Sequence, residues 1–341
     1  MGGARVLPTG NIVYGRLPRG CELCQRGLKS VVFLTGLCPA RCFYCPLSKA
    51  RRSRDVFYVN ERKIDVDLPR KALRAAVLNE VYTSASLGAG ITGGDPLEKM
   101  DRTVWIIRTL KESFGDDFHI HLYTSALTLD EQKMRLLARA GLDEIRLHTP
   151  LSLLPEKLRI ALRYEGEVDV GLEYPVLPNG GETLKKIISL AAEMGASFIN
   201  LNELEFTETN SAALRRAGFR LAEDYRTAEG SRETALDVLG WAAETGVPIT
   251  VHFCPASFKD YYQTGLRHYR RGQVSALPHH MVTDDGTLLE LTGVERGLFK
   301  GIYPEGRAHI ASGISRGRLV EKEATYRGLK LTEEEIGEKN I

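Results

Sequence analysis

"VVFLTGLCPARCFYC", residues 31–45, begins as a continuous apolar, β-favouring run and ends by placing three of the chain's six cysteines within eight residues. Such a run reads as a strand buried on both faces. "VVFLTG" (31–36) is therefore expected to be the first strand of a parallel sheet, with Cys38, Cys42 and Cys45 on the loop that leaves it.

The same rhythm continues outward from this stretch. "PRKALRAAVLNEVYTSA" (69–85) opens with Pro at a helix start and carries an apolar stripe at helical spacing. "AGITGG" reads as the second strand, followed by a helix near 101–113, a strand at 119–125, a helix at 130–140 and a strand at 144–150. Strands at 168–176, 197–206 and 248–253 alternate with helices near 181–194 and 232–245. Six or seven β/α repeats of this kind imply an α/β fold closing into a partial (βα)6-type TIM barrel, with function gathered at the carboxyl ends of the strands. Cys38, Gly93 to Asp95, Ser125, His148, Glu173, Asn202 with Glu203 and Glu205, and Cys254 all fall at or near those ends.

The expected division is a short cysteine-containing segment (1–30), the barrel (31–256) and a small β-rich appendage (257–341). In the appendage, "HHMVTDDGTLLELTG" reads as a hairpin with an Asp-Gly turn, "RAHIASGISRGRLVEKEATY" as further short strands and "LTEEEIGEKNI" as a frayed charged tail.

A formal charge of +2 over 341 residues does not mark a nucleic-acid or membrane-surface protein. The opening "MGGARVLPTGNIVYG" lacks the apolar run of a signal peptide, and no stretch is long and apolar enough to span a bilayer, so a cytoplasmic location without a membrane partner is expected. Five cysteines between positions 21 and 45 then read as metal ligands or redox groups, not disulfides.

Two groupings are open. Cys21, Cys24, Cys42 and Cys45 form C-x2-C-x17-C-x2-C, within the range of a closed structural zinc site, but this leaves Cys38 unused and sets a buried strand between the two pairs. Alternatively Cys38, Cys42 and Cys45 act together as C-x3-C-x2-C, three soft thiolates suited to a four-iron cubane with one iron left open.

The second grouping, the aromatic pair Phe43 and Tyr44 before the last cysteine, and "ITGGDP" (91–96) resemble the radical S-adenosylmethionine (SAM) superfamily, whose Gly-Gly-Glu-Pro segment this chain matches with Asp in place of Glu. The resemblance covers residues 31 to about 255. It implies that Cys38, Cys42 and Cys45 hold a [4Fe-4S] cluster, that SAM chelates the open iron, and that the backbone at Gly93, Gly94 and Asp95 receives its amino group. It also implies Tyr44 near the adenine, with Ser125, His148, Glu173 and Asn202 as candidates for ribose or substrate contacts. An external one-electron reductant such as ferredoxin or flavodoxin is implied with it, and cleavage of SAM to a 5′-deoxyadenosyl radical that takes a hydrogen atom from an RNA, peptide or metabolite.

"CELCQRGLKSVVFLTGLCPARCFYCPLS" is most similar to an archaeal-type group related to pyruvate formate-lyase activating enzyme, which makes a glycyl-radical activase the alternative activity. A non-enzymatic zinc module is the third. Cys21 and Cys24 before the barrel and Cys254 at the end of its last strand are expected to form an auxiliary iron–sulfur or zinc site, with His252 or a substrate atom completing it. Lys49, Arg51, Arg52, Arg54, Arg267, Arg270 and Arg271, interleaved with Tyr261, Tyr262 and Tyr269, offer phosphate and base contacts, although a solvated helix face explains the second cluster as well.

Overall fold

The computed structural model describes residues 3–292, 317–324 and 330–336. The chain divides into two compact units, Met1–Val81 with Ser86–Gln263, and Tyr82–Ala85 with Thr264–Ile341.

In the first unit the elements follow in the order β1 (Arg5–Val6), β2 (Ile12–Tyr14), α1 (Arg19–Gln25), β3 (Lys29–Phe33), β4 (Phe57–Val59), β5 (Arg62–Ile64) and α2 (Arg70–Thr83). Next come β6 (Gly88–Thr92), α3 (Met100–Phe114), β7 (His119–Thr124), α4 (Glu131–Ala140), β8 (Glu144–Leu147), α5 (Leu154–Leu162) and β9 (Asp169–Val176). α6 (Gly181–Met194), β10 (Phe198–Glu203), α7 (Ser211–Arg216), α8 (Ser231–Thr245), β11 (Thr250–Cys254) and α9 (Ala256–Phe258) complete it. One sheet takes all eleven strands in the order β1-β2-β11-β10-β9-β8-β7-β6-β3-β4-β5. β3 and β6 through β11 are parallel neighbours in chain order, while the β1–β2 and β4–β5 hairpins pair antiparallel at the two ends.

β1 and β5 end the order without pairing to each other, so the barrel is incomplete. The sheet nevertheless curls. The short α1 packs on β3, β6 and β7, and its Cys21 also reaches Asn200 on β10, at the other end of the parallel run.

Alternation along the parallel strands separates two faces. Val32, Ile91, Ile120, Leu122, Ile145, Leu172, Ile199 and Val251 pack outward against helix residues such as Ile106, Leu137, Leu158, Ile188 and Leu239. Burying each such side chain contributes about 1.5–3 kcal/mol. α4 shows how a crossover helix is bounded: Asp130 accepts from the Lys133 N–H at 2.8 Å, and Gly141 ends the helix in the left-handed region with φ +97°. Between those ends, Met134 and Leu137 fall on the buried face.

The β4–β5 hairpin and α5 were not anticipated from sequence. Strands of three residues show no usable alternation, and β4–β5 turns through Asn60, whose φ is +53° and whose side chain accepts from the Val31 N–H at 2.9 Å.

The second unit contains α10 (Leu266–Ser275) and an antiparallel sheet of β12 (His280–Val282), β13 (Leu288–Thr292), β14 (Gly317–Lys322) and β15 (Lys330–Ile336). The expected Asp-Gly hairpin joins β12 and β13, with Gly286 at φ +87°. Two expectations are corrected. "LTEEEI" is not a frayed tail but the paired strand β15, held to β14 along its length and by Arg318–Glu333 at 3.1 Å. Residues 337–341, and residues 307–316 and 325–326 of the expected short strands, lie outside the described residues. α10 exposes Tyr269, Gln273 and Val274 but buries Arg267 and Arg271, so those two arginines are not on its solvated face. No helix among the described residues is long and apolar enough to cross a membrane.

Candidate active site

The inward positions of the parallel strands are polar where the outward ones are apolar. They include Lys29, Thr92, His121 and Tyr123, Glu144 and Arg146, Glu173, Asn200 and Asn202, and His252 and Cys254. A cavity of about 820 Å3 lies against the upper part of this face. Cys38, Cys42 and Cys45 all line it, together with Tyr44, Gly93, Gly94, Ser125, His148, Glu173 and Asn202.

The loop carrying the three cysteines is clamped on both flanks. Gly36 donates to the Arg54 carbonyl at 2.8 Å and accepts from Ser53 N–H at 2.8 Å. From β6, Gly94 N–H donates to Thr35 O and Asp95 N–H to Leu37 O, both at 2.7 Å. Two backbones this close leave no room for side chains. A Cβ on Gly93, whose φ is +146°, would stand 2.3 Å from Thr35 O, and one on Gly94 would stand 2.2 Å from Leu37 O.

Asp95 differs from its neighbours, because it does not line the cavity and is fully buried. Its carboxylate accepts from Leu97 N–H (3.0 Å), Thr124 Oγ1 (2.9 Å) and Ser125 N–H (3.1 Å), and also from Ser125 Oγ. It therefore ties the end of β6 to the end of β7.

Tyr44 and His148 form a second feature of the wall. Their rings stack with centroids 5.7 Å apart, and Tyr44 Oη lies 2.7 Å from His148 Nε2. Burial raises the phenol pKa and lowers that of the imidazole, so the pair shares a hydrogen bond between neutral groups. Asn210 Nδ2 holds the Tyr44 carbonyl at 3.0 Å.

Arg146 organises the floor. Its guanidinium donates to Glu144 Oε1 at 2.5 Å, Glu173 Oε2 at 2.9 Å, Tyr123 Oη at 3.2 Å and Cys21 Sγ at 3.3 Å. Glu173 also accepts from Asn200 (3.1 Å) and Asn202 (2.7 Å). Burial alone would raise both carboxyl pKa values, but Arg146, joined by His119 and Lys29 at Glu144 and by Asn202 and Asn200 at Glu173, holds both below the usual carboxylate range.

Beside this network is a smaller chamber of about 50 Å3. Cys21, Cys24 and Cys254 line it with His252, and Tyr123, Arg146, Glu173, Asn202, Lys259 and Gln263 line both spaces. Burial raises the Cys21 and Cys38 thiols to about 11, so each becomes a thiolate only when a metal displaces its proton.

These positions separate the four cysteines of the closed zinc grouping: Cys42 and Cys45 line the large cavity, Cys21 and Cys24 the small chamber. Among the described residues, the only sets of three potential ligand atoms within 4.8 Å of one another are His119–His121–Glu144 and His279–His280–Glu290, and no cysteine belongs to either. In the first, the Lys29 ammonium already contacts both His121 ring nitrogens, one of them at 3.0 Å, and Arg146 occupies Glu144. In the second, Leu277 N–H donates to His280 Nδ1 at 3.2 Å, which puts the proton of a neutral ring on Nε2, the nitrogen facing Glu290.

Of the basic cluster after the cysteine loop, Arg52 lines the cavity, Arg51 lies over the Tyr58 ring at 4.2 Å, and Lys49 is exposed beside Glu208. Burial removes Arg267 and Arg271 from any phosphate-binding surface. Lys29, Tyr123, Arg146 and Lys259 line the cavity without having been singled out in the sequence. For Lys29, Tyr123 and Arg146 the available signal was a charged or phenolic residue at an inward position of a strand; Lys259 follows α9 and carried no such signal.

A family model described as the Radical SAM superfamily matches residues 32–149. A protein of Methanocaldococcus jannaschii, provisionally named a glycyl-radical enzyme activating enzyme, is 40% identical over 288 residues, covering 81% of this chain and 73% of its own length. Among solved structures, Streptococcus suis SuiB bound to S-adenosylmethionine gives a TM-score of 0.46 at 13% identity, over 69% of this chain and 52% of that one. The radical S-adenosylmethionine methyltransferase TsrM from Kitasatospora setae, with tryptophan and a SAM analogue bound, gives 0.44 at 15% identity, over 67% and 55%. The chain thus spans about half the length of these two solved proteins.

Proposed function

Because the chain belongs to the radical SAM superfamily, we propose that it is an activating enzyme that generates a glycyl radical in a partner protein, with a [4Fe-4S] cluster on Cys38, Cys42 and Cys45 and SAM in the 820 Å3 cavity. The observation that carries the activase reading is the name of the relative at 40% identity. It reverses the order of preference drawn from sequence, where an unspecified RNA, peptide or metabolite substrate ranked ahead of a glycyl-radical partner.

The residues fit the cofactors. Three soft thiols line one space, with no fourth cysteine beside them to close the set. The Gly93–Gly94 backbone forms a wall that no side chain can enter, which suits contact with an amino-acid end group. When bound, the cluster and SAM supply a 5′-deoxyadenosyl radical, and the protein's task is to position it and keep competing reactions out.

The stacked Tyr44–His148 pair offers a flat face for the adenine, while Ser125, Glu173 and Asn202 offer polar groups for ribose. Arg146 fixes Glu173 in place. Lys259, paired with Glu205 at 2.8 Å, lines both spaces, and on this reading the partner's glycyl segment would enter beside it. Residues 31–256 act as the catalytic core, preceded by 1–30 and followed by 257–341, with ferredoxin or flavodoxin as the electron donor.

The test uses anaerobic, dithionite-reduced protein with SAM and a glycyl-radical enzyme encoded beside it. The expected result is 5′-deoxyadenosine together with a glycyl doublet in the electron paramagnetic resonance (EPR) spectrum, both lost in Cys38→Ala. Deoxyadenosine without the doublet would return the substrate to the wider class. A wild-type protein that binds iron but yields no deoxyadenosine would overturn the SAM assignment.

A further inference from the structure

From the smaller chamber, we infer that Cys21, Cys24 and Cys254 hold a second iron–sulfur cluster, open toward the cavity shared with SAM. The topology makes the juxtaposition. α1 brings Cys21 and Cys24 against the floor of the curled sheet, and β11 ends on Cys254, whose register partner on β10 is Asn202. Thus a cysteine pair and a third cysteine 230 positions further along line one space.

Three observations favour a metal centre over inert buried thiols. First, polar side chains (Asn11, Arg146, Glu173, Asn200, Asn202, Lys259 and Gln263) share the chamber's wall with the thiols and Phe258, whereas an inert thiol is normally packed among apolar groups alone. Second, Cys21 Sγ faces the polar side of this wall, 3.3 Å from the Arg146 guanidinium and 3.7 Å from Asn200 Oδ1.

Third, the carboxylate and imidazole that could compete for a metal here, Glu173 and His252, already have partners. Glu173 is engaged by Arg146, Asn200 and Asn202, and His252 is held between Asn200 (2.9 Å) and Asn11 (2.8 Å). Both ring nitrogens of His252 are therefore in use, which argues against the ligand role expected for it. Cys24 and Cys254, by contrast, are free thiols.

The spread of the sulfurs selects the class of metal centre. A single tetrahedral ion with metal–sulfur bonds of about 2.3 Å requires sulfurs about 3.8 Å apart, yet these three do not gather within 4.8 Å of one another. Cys38, Cys42 and Cys45 are spread in the same way. Separate thiolates on separate irons tolerate such spacing, and soft sulfur ligands suit iron–sulfur chemistry. The chamber's own 50 Å3 is small, but six of its lining residues also line the large cavity, so the space for the cluster extends in that direction. With three ligands, one iron is left free to meet a substrate atom.

The inference does not depend on the activase reading. Its test is iron and acid-labile sulfide analysis, with EPR, of anaerobically reconstituted wild type and two triple variants. Cys38→Ala/Cys42→Ala/Cys45→Ala is expected to retain about half of the wild-type iron and a reduced-cluster signal that SAM does not alter. Cys21→Ser/Cys24→Ser/Cys254→Ser is expected to lose that half and keep the SAM-sensitive signal. A folded Cys38/Cys42/Cys45 variant without iron, or one holding zinc in place of iron, overturns the proposal. If either variant fails to fold, the wild type decides: about eight irons per chain supports two clusters, and about four overturns the second.

Discussion

Arg146 concentrates more of the interior's charge than any single position in the sequence would suggest. One guanidinium reaches Glu144, Glu173, Tyr123 and Cys21, and it is itself buried. Removing it leaves two carboxylates without their main counter-charge, which in buried pairs costs about 3–5 kcal/mol. Arg146→Met is therefore expected to lower stability by that amount in urea denaturation. Arg146→Lys should recover only a fraction, because an ammonium has no planar fork to span both acids. A loss under about 1 kcal/mol in Arg146→Met would contradict this picture. The residue was not legible in the sequence, in contrast to Cys38, Cys42 and Cys45. Close spacing on one loop identifies a ligand set directly, whereas an arginine in "EIRL" has meaning only once β8 is set between β7 and β9.

Strand ends act together through the segment Gly93–Asp95. Two backbone hydrogen bonds link it to the loop after β3, and the Asp95 carboxylate links it to the loop after β7. Gly93→Ala must overcome both a φ of +146° and a contact at 2.3 Å, so the loop has to move. We expect a lower melting temperature and weaker SAM binding, with destabilisation above the roughly 1 kcal/mol scale of Gly-to-Ala changes at compatible sites. Calorimetric titration with SAM checks this, and unchanged affinity would show that the loop adapts freely. The seven parallel strands were legible because each is a short β-favouring segment, continuous or alternating in its apolar residues, set between turn and helix signals. The β1–β2 and β4–β5 hairpins escaped because their strands are two or three residues long and their register comes from long-range partners, not from local pattern. β15 was hidden by its own charge, since "TEEE" reads as solvent-exposed until the basic residues of β14 stand beside it.

Stability of the whole molecule is expected to depend on acid through Asp55, which joins the cysteine-loop side of the sheet to α3. Its carboxylate meets Lys99 at 2.8 Å, Arg102 at 2.7 Å and Thr35 Oγ1 at 2.9 Å. Burial pushes its pKa upward, but the hydrogen bonds from Arg102, Lys99 and Thr35 outweigh that and depress it below the usual range. A depressed carboxylate stabilises the fold above its unfolded pKa of about 3.9, and that contribution fades as pH falls through the folded value. The stability gap between wild type and Asp55→Asn should therefore be full at pH 6 and narrow below about pH 4. Melting temperatures measured from pH 6 to pH 2 test this, and a constant gap would exclude the linkage. β2 leaves the ribosome long before the strand it pairs with. Asn11, which adjoins β2, and its partner His252 on β11 are 241 residues apart, so at roughly 5–20 residues per second their emergence is separated by about 12–48 s. For the 209 residues between Cys45 and Cys254, about 10–42 s at the same rate, the first five cysteines have been made while Cys254 and the strand that carries it have not, which leaves the growing chain a period in which metal can reach the first set before the wall beside it is complete.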